Sequence, residues 1–136
     1  MQNSFYFNKG FSNIYKKNST ASEVTSQIIY GEKFKILSKN KEWIKIKTIF
    51  DNYTGYIKNK DYVEKFFPKY KVYSLKARIS NKLNKKTKNF LPFGSKVDLI
   101  NENKNNIEFE KNKWLKKNDL KKINHKENNF NKIFKL

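Results

Sequence analysis

Apolar residues in the first half of the chain recur at every second position, which is the period of a half-buried β-strand. Phe34 and Ile36 alternate with lysines, and Ile44 and Ile46 do the same in the next apolar run. A polar cluster at 38–41 separates the two runs at the spacing of a β-hairpin. The pattern predicts a small antiparallel β-barrel.

The second half of the chain repeats the first. YGEKFKIL at 30–37 aligns with FGSKVDLI at 93–100 at an offset of 63 residues. Further on, GYIKNKDY at 55–62 aligns with KWLKKNDL at 113–120, where the offset has fallen to 58 residues. Because loop tips tolerate deletions better than strands do, we predict a shortened hairpin loop in the second copy. Each copy is expected to end in a one-turn 3₁₀ helix.

The repeat predicts an all-β fold with two tandem SH3-like barrels, at 9–67 and 68–123, followed by a short C-terminal helix. That helix, placed at 124–136, follows from a change of period, since Phe130 and Ile133 are three residues apart in a polar context. We expect this last segment to be the beginning of a helix that links to a further, catalytic domain.

The composition indicates a charged protein surface rather than a site that recognises nucleic-acid sequence. The 136 residues carry a net charge of +19, but Arg78 is the only arginine. Lysine offers a point charge without the bidentate fork of arginine, so sequence-specific readout of bases is not expected. The densest basic patch consists of Lys82, Lys85, Lys86 and Lys88. We interpret it as a solvated loop, with backbone-directed nucleic-acid binding as the alternative.

Enzyme chemistry and cofactors are not expected of this chain. It contains no cysteine, and its single histidine, His125, lies in a polar segment without a visible partner. We therefore predict no catalytic residue, no metal site, no cofactor and no hydrolase activity for the isolated chain. A signal peptide and a long apolar stretch are both missing from the sequence, so we expect a cytoplasmic protein without membrane contact.

Three motifs in fixed order carry a family resemblance: SQIIYGE at 26–32, EWIKI at 42–46 and DNYTGYI at 51–57. With the divergent second copy, they resemble the paired SH3-like domains at the N-terminus of NlpC-type cell-wall cysteine peptidases. These enzymes are γ-D-glutamyl-L-diamino acid endopeptidases, also called bacterial dipeptidyl-peptidases. In that family the second barrel leads into a papain-like catalytic domain, and ENNFNKIFKL at 127–136 is similar to the connecting helix. The catalytic Asp-Cys-Ser-Gly motif has no counterpart here.

The resemblance implies a non-catalytic, substrate-recognition part of a larger peptidase. Its ligand would be the free N-terminal L-Ala-D-Glu end of a wall peptide, L-Ala-D-Glu-diamino acid. By the family's motifs, Glu32 would pair with the ligand's ammonium group, Tyr53 would donate a hydroxyl hydrogen bond, and Asp51 would support the loop. Gly55 would give the backbone its turn freedom. In the alternative interpretation, Glu32 pairs with neighbouring lysines and Tyr53 packs on Trp43.

A further alternative is a peptide-binding scaffold whose aromatic side chains form a groove. The candidates are Trp43, Tyr53, Tyr56, Tyr62 and Trp114. At the spacing of barrel strands, however, most of these residues are expected in the core.

Overall fold

The computed structural model describes residues 4–81 and 85–123. Their regular secondary structure consists of antiparallel β-strands and one 3₁₀ helix at Lys117–Asp119, which confirms the predicted all-β class. None of the described helical structure is long and apolar enough to span a membrane. The C-terminal helix predicted at 124–136 and His125 lie outside the described residues.

The first repeat, which we define as residues 4–63, forms a six-stranded sheet with the order β1-β4-β5-β6-β2-β3. Its strands are β1 (Ser4–Tyr6), β2 (Phe11–Tyr15), β3 (Val24–Ile29), β4 (Lys33–Lys39), β5 (Trp43–Thr48) and β6 (Thr54–Lys58). Their alternate side chains pack into one core, formed by Phe7, Ile14, Ile28, Phe34, Ile44, Ile46 and Ile57. β1 precedes the predicted start of the barrel at residue 9. Within the described residues, no ladder joins β3 to β1 and closes the sheet.

The second repeat, which we define as residues 70–122, has its own core and two sheets. Its strands are β7 (Tyr70–Val72), β8 (Lys76–Ser80), β9 (Lys86–Pro92), β10 (Lys96–Val97), β11 (Asn101–Glu102), β12 (Asn106–Glu110), β13 (Lys113–Lys116) and β14 (Leu120–Lys122). The five-stranded sheet has the order β11-β12-β13-β8-β9, which matches β4-β5-β6-β2-β3 of the first repeat. The remaining sheet has the order β10-β7-β14. The domain limits 9–67 and 68–123 stay a prediction.

Two glycines occupy equivalent positions in the repeats. Gly31 has a φ of 85° and Gly94 a φ of 91°, a left-handed conformation that favours glycine. The Gly31 N–H donates to the Phe7 carbonyl at 2.7 Å, and the Gly94 N–H donates to the Val72 carbonyl at 3.0 Å. The same turn, held by the same bond, therefore confirms the alignment of the two motifs.

Loops differ between the repeats where the offset changes. The β5–β6 loop spans 49–53 in the first repeat, whereas its counterpart between β12 and β13 is only 111–112. This confirms the predicted shortening. The predicted 3₁₀ helix is found in the second repeat but not at 59–61, where the prediction was wrong. There the Tyr62 hydroxyl donates to the Lys58 carbonyl at 2.7 Å, a bond that the equivalent Leu120 cannot make.

Tyr30 connects the two repeats. It belongs to the first repeat by sequence, but its ring is only 5% exposed within the core of the second, edge-on to Phe109. Its hydroxyl donates a hydrogen bond to the Glu110 carboxylate. The Lys96 N–H donates to the Tyr30 carbonyl at 2.9 Å, so backbone and side chain both anchor this contact. Burial of an apolar side chain of this size contributes about 2 kcal/mol to the free energy of folding.

Candidate functional site

A cleft of about 670 Å³ lies between the two repeats, and we call it the inter-repeat cleft. The residues that carry charge or apolar surface into it include Glu32, Ile49, Phe50 and Asp51 from the first repeat and Lys71 and Lys96 from the second. The β5–β6 loop contributes to one wall, which is the loop that is longer in the first repeat. The cleft therefore depends on a feature that only one copy of the repeat has.

Glu32 lies at the turn from β3 into β4, directly after Gly31. Its side-chain Oε1 accepts a hydrogen bond from the Ile29 N–H at 3.2 Å, which orients the carboxylate. Burial, the largest cause, raises the pKa of Glu32, and the nearby charge of Asp51 acts in the same direction. The Ile29 hydrogen bond and the positive charge of Lys96 oppose this shift.

The alternative in which Glu32 pairs with neighbouring lysines has no direct ion pair to support it, although the charge of Lys96 lowers the pKa of Glu32. Across residues 4–81 and 85–123, the ion pairs within 4.0 Å are Lys113–Glu110 and Lys117–Glu102, and neither involves Glu32. A half-buried carboxylate without a cation in contact can take a cationic ligand group, which would restore the charge balance lost on burial.

Asp51 lies in the same cleft and is held by the loop that carries it. The Thr48 hydroxyl donates to Asp51 Oδ1 at 2.5 Å and accepts the Tyr53 N–H at 2.9 Å. Thr48 is only 1% exposed, so this three-residue contact is fixed from inside the fold. The role of Asp51 as a support of the loop stays a prediction.

Tyr53 lies apart from the other two predicted site residues. Its side chain is 47% exposed and is not part of the cleft wall. Its backbone pairs with Thr48, whose N–H donates to the Tyr53 carbonyl at 2.8 Å. The alternative packing of Tyr53 on Trp43 is not found in the described ring contacts, where the partner of Trp43 is Tyr15 at 5.9 Å. The structure therefore brings Glu32 and Asp51 together without Tyr53.

Glycine is required at position 55 for a different reason from the one that the sequence suggested. It lies inside β6 and does not have a positive φ, so turn freedom is not what the position requires. A Cβ atom there would lie 2.4 Å from Ile14 Cγ2 and 2.7 Å from the Tyr15 carbonyl oxygen. Glycine is needed because β6 lies directly beside β2 in the sheet and leaves no room for a Cβ atom.

Several cleft residues were missed by the sequence prediction. Tyr6 lines the cleft from β1, with the Lys33 ammonium 5.8 Å above the centre of its ring. Lys71 and Lys96 belong to the second repeat, and nothing in the sequence signals that they face Glu32. The pairing Lys96↔Lys71 in the β10–β7 ladder places these two lysines directly opposite each other.

The lysine patch considered for nucleic-acid binding is solvated where the structure describes it. Lys85, Lys86 and Lys88 are exposed, while Lys82 lies outside the described residues. Lys88 also lines a second cavity of about 420 Å³, together with the carboxylate of Glu110. This carboxylate is already engaged by Tyr30 and Lys113.

The aromatic residues proposed for a scaffold groove are divided between core and surface. Trp43 is 7% exposed, and Tyr62 stacks at 5.5 Å on Phe7 within reach of the first core. Tyr56 and Trp114 are half-buried. The expectation of mostly core positions is therefore confirmed for Trp43, while Tyr53 is the exposed member of the set.

Comparison with known proteins identifies the first repeat and the overall fold. Residues 10–64 match the family model described as bacterial SH3 domain. No curated protein sequence matches the chain. A solved NlpC/P60 family protein from Bacillus cereus is similar in structure, with a TM-score of 0.69 and 11% sequence identity. The alignment covers 88% of this chain and 56% of that one.

The chain thus spans little more than half of that NlpC/P60 family structure. At 11% identity the likeness shows the fold alone. Residues 10–64 are thus similar to bacterial SH3 domains, and the fold as a whole is similar to that of an NlpC/P60 family protein.

Proposed function

We propose that this chain is the non-catalytic, substrate-recognition part of a peptidase that cleaves peptidoglycan-derived peptides. Its inter-repeat cleft binds the free amino end of an L-Ala-D-Glu-diamino acid peptide. A papain-like catalytic domain, supplied by the rest of a longer protein or by a partner chain, performs the cleavage. The proposed place of action is the cytoplasm, where released wall peptides are recycled.

The observation that carries this proposal is the state of Glu32. Its carboxylate is half-buried in the cleft, is oriented by the Ile29 N–H and has no cation in contact among the described residues. A peptide ammonium group has three donors, and leaving them unpaired on desolvation is costly. Asp51, on the adjacent loop, adds a second negative charge to the same cleft. Lys33, Lys71 and Lys96 also line the cleft, so the preference for a cationic ligand group is local to Glu32 and Asp51.

Apolar surface beside the acids fits a small side chain. Ile29, Ile49 and Phe50 line the cleft near Glu32, and Phe50 is 92% exposed. An alanine methyl group would cover part of this surface. Phe50 and Ile49 lie in the loop that is longer than its counterpart in the second repeat, so recognition is assigned to one copy only.

The proposal is tested by titrating the isotope-labelled chain with L-Ala-D-Glu-diamino acid peptide and with its N-acetylated form, using NMR. A charge-assisted hydrogen bond contributes about 1.5 to 3 kcal/mol, so acetylation should weaken binding about ten- to a hundredfold. Glu32→Gln should remove most of that difference. Glu23→Gln, a matched change at an exposed acid outside the cleft, should retain it. Equal affinity of the wild-type chain for both peptides would refute the proposal.

Tyr53 does not line the cleft, so its proposed role is limited to a hydroxyl hydrogen bond with a part of the ligand that extends out of the cleft. If Tyr53→Phe has the same preference for the free amine as the wild type, the assignment of Tyr53 is wrong, and that of Glu32 is unaffected.

Nucleic-acid binding remains the second candidate because Lys85, Lys86 and Lys88 are exposed together. Binding of this kind is strongly dependent on salt. Retention on single-stranded DNA at low salt, lost in a variant with Gln at these three positions, would favour this candidate over the first.

A further inference from the structure

Two neighbouring loops of the second repeat carry large apolar side chains into solvent, and we call these side chains the tip patch. The β7–β8 loop contributes Tyr73 and Leu75, and the β9–β10 loop contributes Phe93. Leu75 is 85% exposed, while the two rings are about half-exposed. The loops are joined, since the Phe93 N–H donates to the Leu75 carbonyl at 3.2 Å and the rings meet edge to face at 5.9 Å. The tip patch is therefore one continuous feature of the surface.

Lysines lie beside the tip patch on the small sheet of the second repeat. In the order β10-β7-β14, Lys96 lies opposite Lys71 and Lys71 lies opposite Lys121. The ammonium groups of Lys71 and Lys121 lie 5.7 Å and 4.6 Å from the ring centre of Tyr73. Like charges directly opposite each other on neighbouring strands destabilise a sheet. An anionic surface placed against this row would relieve the repulsion.

No acidic residue of the described chain forms an ion pair with these lysines. Strands β7, β10 and β14 contain no acidic residue. Across residues 4–81 and 85–123, the ion pairs within 4.0 Å are formed by Lys113 and Lys117 with glutamates of the five-stranded sheet. The tip patch thus combines exposed apolar side chains with a positive charge that no ion pair neutralises.

The equivalent surface of the first repeat makes the contact between the repeats. The aligned turns place Tyr30 at the position of Phe93, and Tyr30 is buried in the core of the second repeat. The residue at the position of Lys71 is Tyr6, whose ring packs on Phe66 at 5.6 Å. In the second repeat the same surface is open in the described part of the chain, so it is available to a partner.

We propose that the tip patch and its lysines bind peripherally to the surface of an anionic phospholipid bilayer. The three apolar side chains enter the interfacial region, and Lys71 and Lys121 lie against the headgroups. Aromatic side chains are favoured at this depth because one end of the ring is apolar and a tyrosine hydroxyl stays hydrated. Each lysine near the negatively charged surface strengthens binding about fivefold.

The aliphatic residue at the tip favours a bilayer over a nucleic acid. Bases stack on the faces of aromatic rings, and Leu75, the most exposed member of the patch, has no ring. Peripheral contact also requires no membrane-spanning segment. The proposal therefore replaces the expectation of no membrane contact, which was based on the lack of a long apolar stretch. It does not depend on the peptide-binding function proposed above.

The test measures co-sedimentation of the full chain with vesicles of phosphatidylcholine alone or of phosphatidylcholine mixed equally with phosphatidylglycerol. We expect binding to the anionic vesicles that weakens with added salt, and binding to neutral vesicles that is weaker by about tenfold or more. On anionic vesicles, Leu75→Ser should weaken binding about tenfold and Lys121→Gln about fivefold. Leu37→Ser and Lys111→Gln are matched changes at exposed residues outside the patch, and they should leave binding nearly unchanged.

Several results would overturn the membrane surface. One is the same binding, or none, to both kinds of vesicle. Another is an effect of Lys111→Gln as large as that of Lys121→Gln, because net charge alone would then explain the binding. Tighter binding to single-stranded DNA, lost in Lys121→Gln but kept in Leu75→Ser, would assign the patch to nucleic acid instead.

Urea denaturation of Leu75→Ser completes the test. We expect the same free energy of unfolding as for the wild type, because Leu75 is exposed. A clear loss of stability would show that the rest of the chain covers the patch, and it would overturn the proposal. None of these results bears on the peptide-binding cleft, which Leu75 and Lys121 do not line.

Discussion

Replacement of Gly31 by alanine is the sharpest perturbation of the contact between the repeats. Gly31 has a φ of 85°, and a Cβ there would lie 2.5 Å from the Lys96 carbonyl oxygen and 2.8 Å from the Lys96 Cβ. Because these neighbours are backbone atoms and the first atom of a side chain, the clash cannot be relieved by rotating a side chain. The two repeats must move apart.

Two other glycines provide matched controls for this substitution. Gly94 has a φ of 91°, but the nearest atom to its added Cβ is the flexible Ile29 Cδ1 at 3.4 Å. Gly10 has a φ of 77° and no heavy atom within 4 Å of an added Cβ. A left-handed backbone costs a residue with a Cβ about 1 kcal/mol in all three cases. Overpacking adds about 2 kcal/mol for Gly31 alone.

We therefore expect Gly31→Ala to lower the free energy of unfolding by about 3 kcal/mol, and Gly10→Ala and Gly94→Ala by about 1 kcal/mol each. Urea denaturation followed by fluorescence measures these differences. Gly31→Ala should also lose affinity for the free-amine peptide, since Gly31 borders the cleft. Equal stability of Gly31→Ala and Gly10→Ala would refute the close contact at Lys96.

Three further predictions concern ionisable side chains. Burial raises the pKa of Tyr62 from 10.0 to about 12, so the stability that its neutral form contributes should be lost as the pH rises from 10.0 through about 12. Unfolding free energies across this range should show the loss in the wild type and a smaller one in Tyr62→Phe. Glu32→Gln should be as stable as the wild type or more stable at neutral pH, because a raised pKa favours the uncharged form in the fold; a clear loss of stability in urea would contradict the assigned cause. Tyr30→Phe should lose about 1 to 3 kcal/mol, since it leaves the Glu110 carboxylate without its buried donor. Tyr53→Phe, at an exposed tyrosine, is the control, and equal stability of the two variants would count against the role of the Tyr30 hydroxyl.

The fold could be predicted because its signals are local. Alternation at Phe34 and Ile36 identifies β4, and the repeat places Gly31 and Gly94 in the same turn. Gly55 shows the limit of motif-based assignment. Its position suggested a turn, but the requirement comes from the close packing of β6 against β2, which depends on atoms of Ile14 that are distant in sequence.

The cleft could be predicted only in part because it arises from the docking of two repeats. The sequence motifs identified Glu32 and Asp51, which share one wall. Lys96 is 64 residues from Glu32, and only the three-dimensional arrangement places them in the same cleft. Tyr30 likewise belongs to a motif of the first repeat but packs in the core of the second. Local patterns carry no information about either contact.

A crystal structure of the chain with L-Ala-γ-D-Glu-L-Lys would test the central claim most directly. The account predicts the peptide in the inter-repeat cleft, with its ammonium nitrogen within about 3 Å of a Glu32 carboxylate oxygen. A peptide bound with its amino end away from Glu32, or in the cavity beside Glu110, would contradict the account.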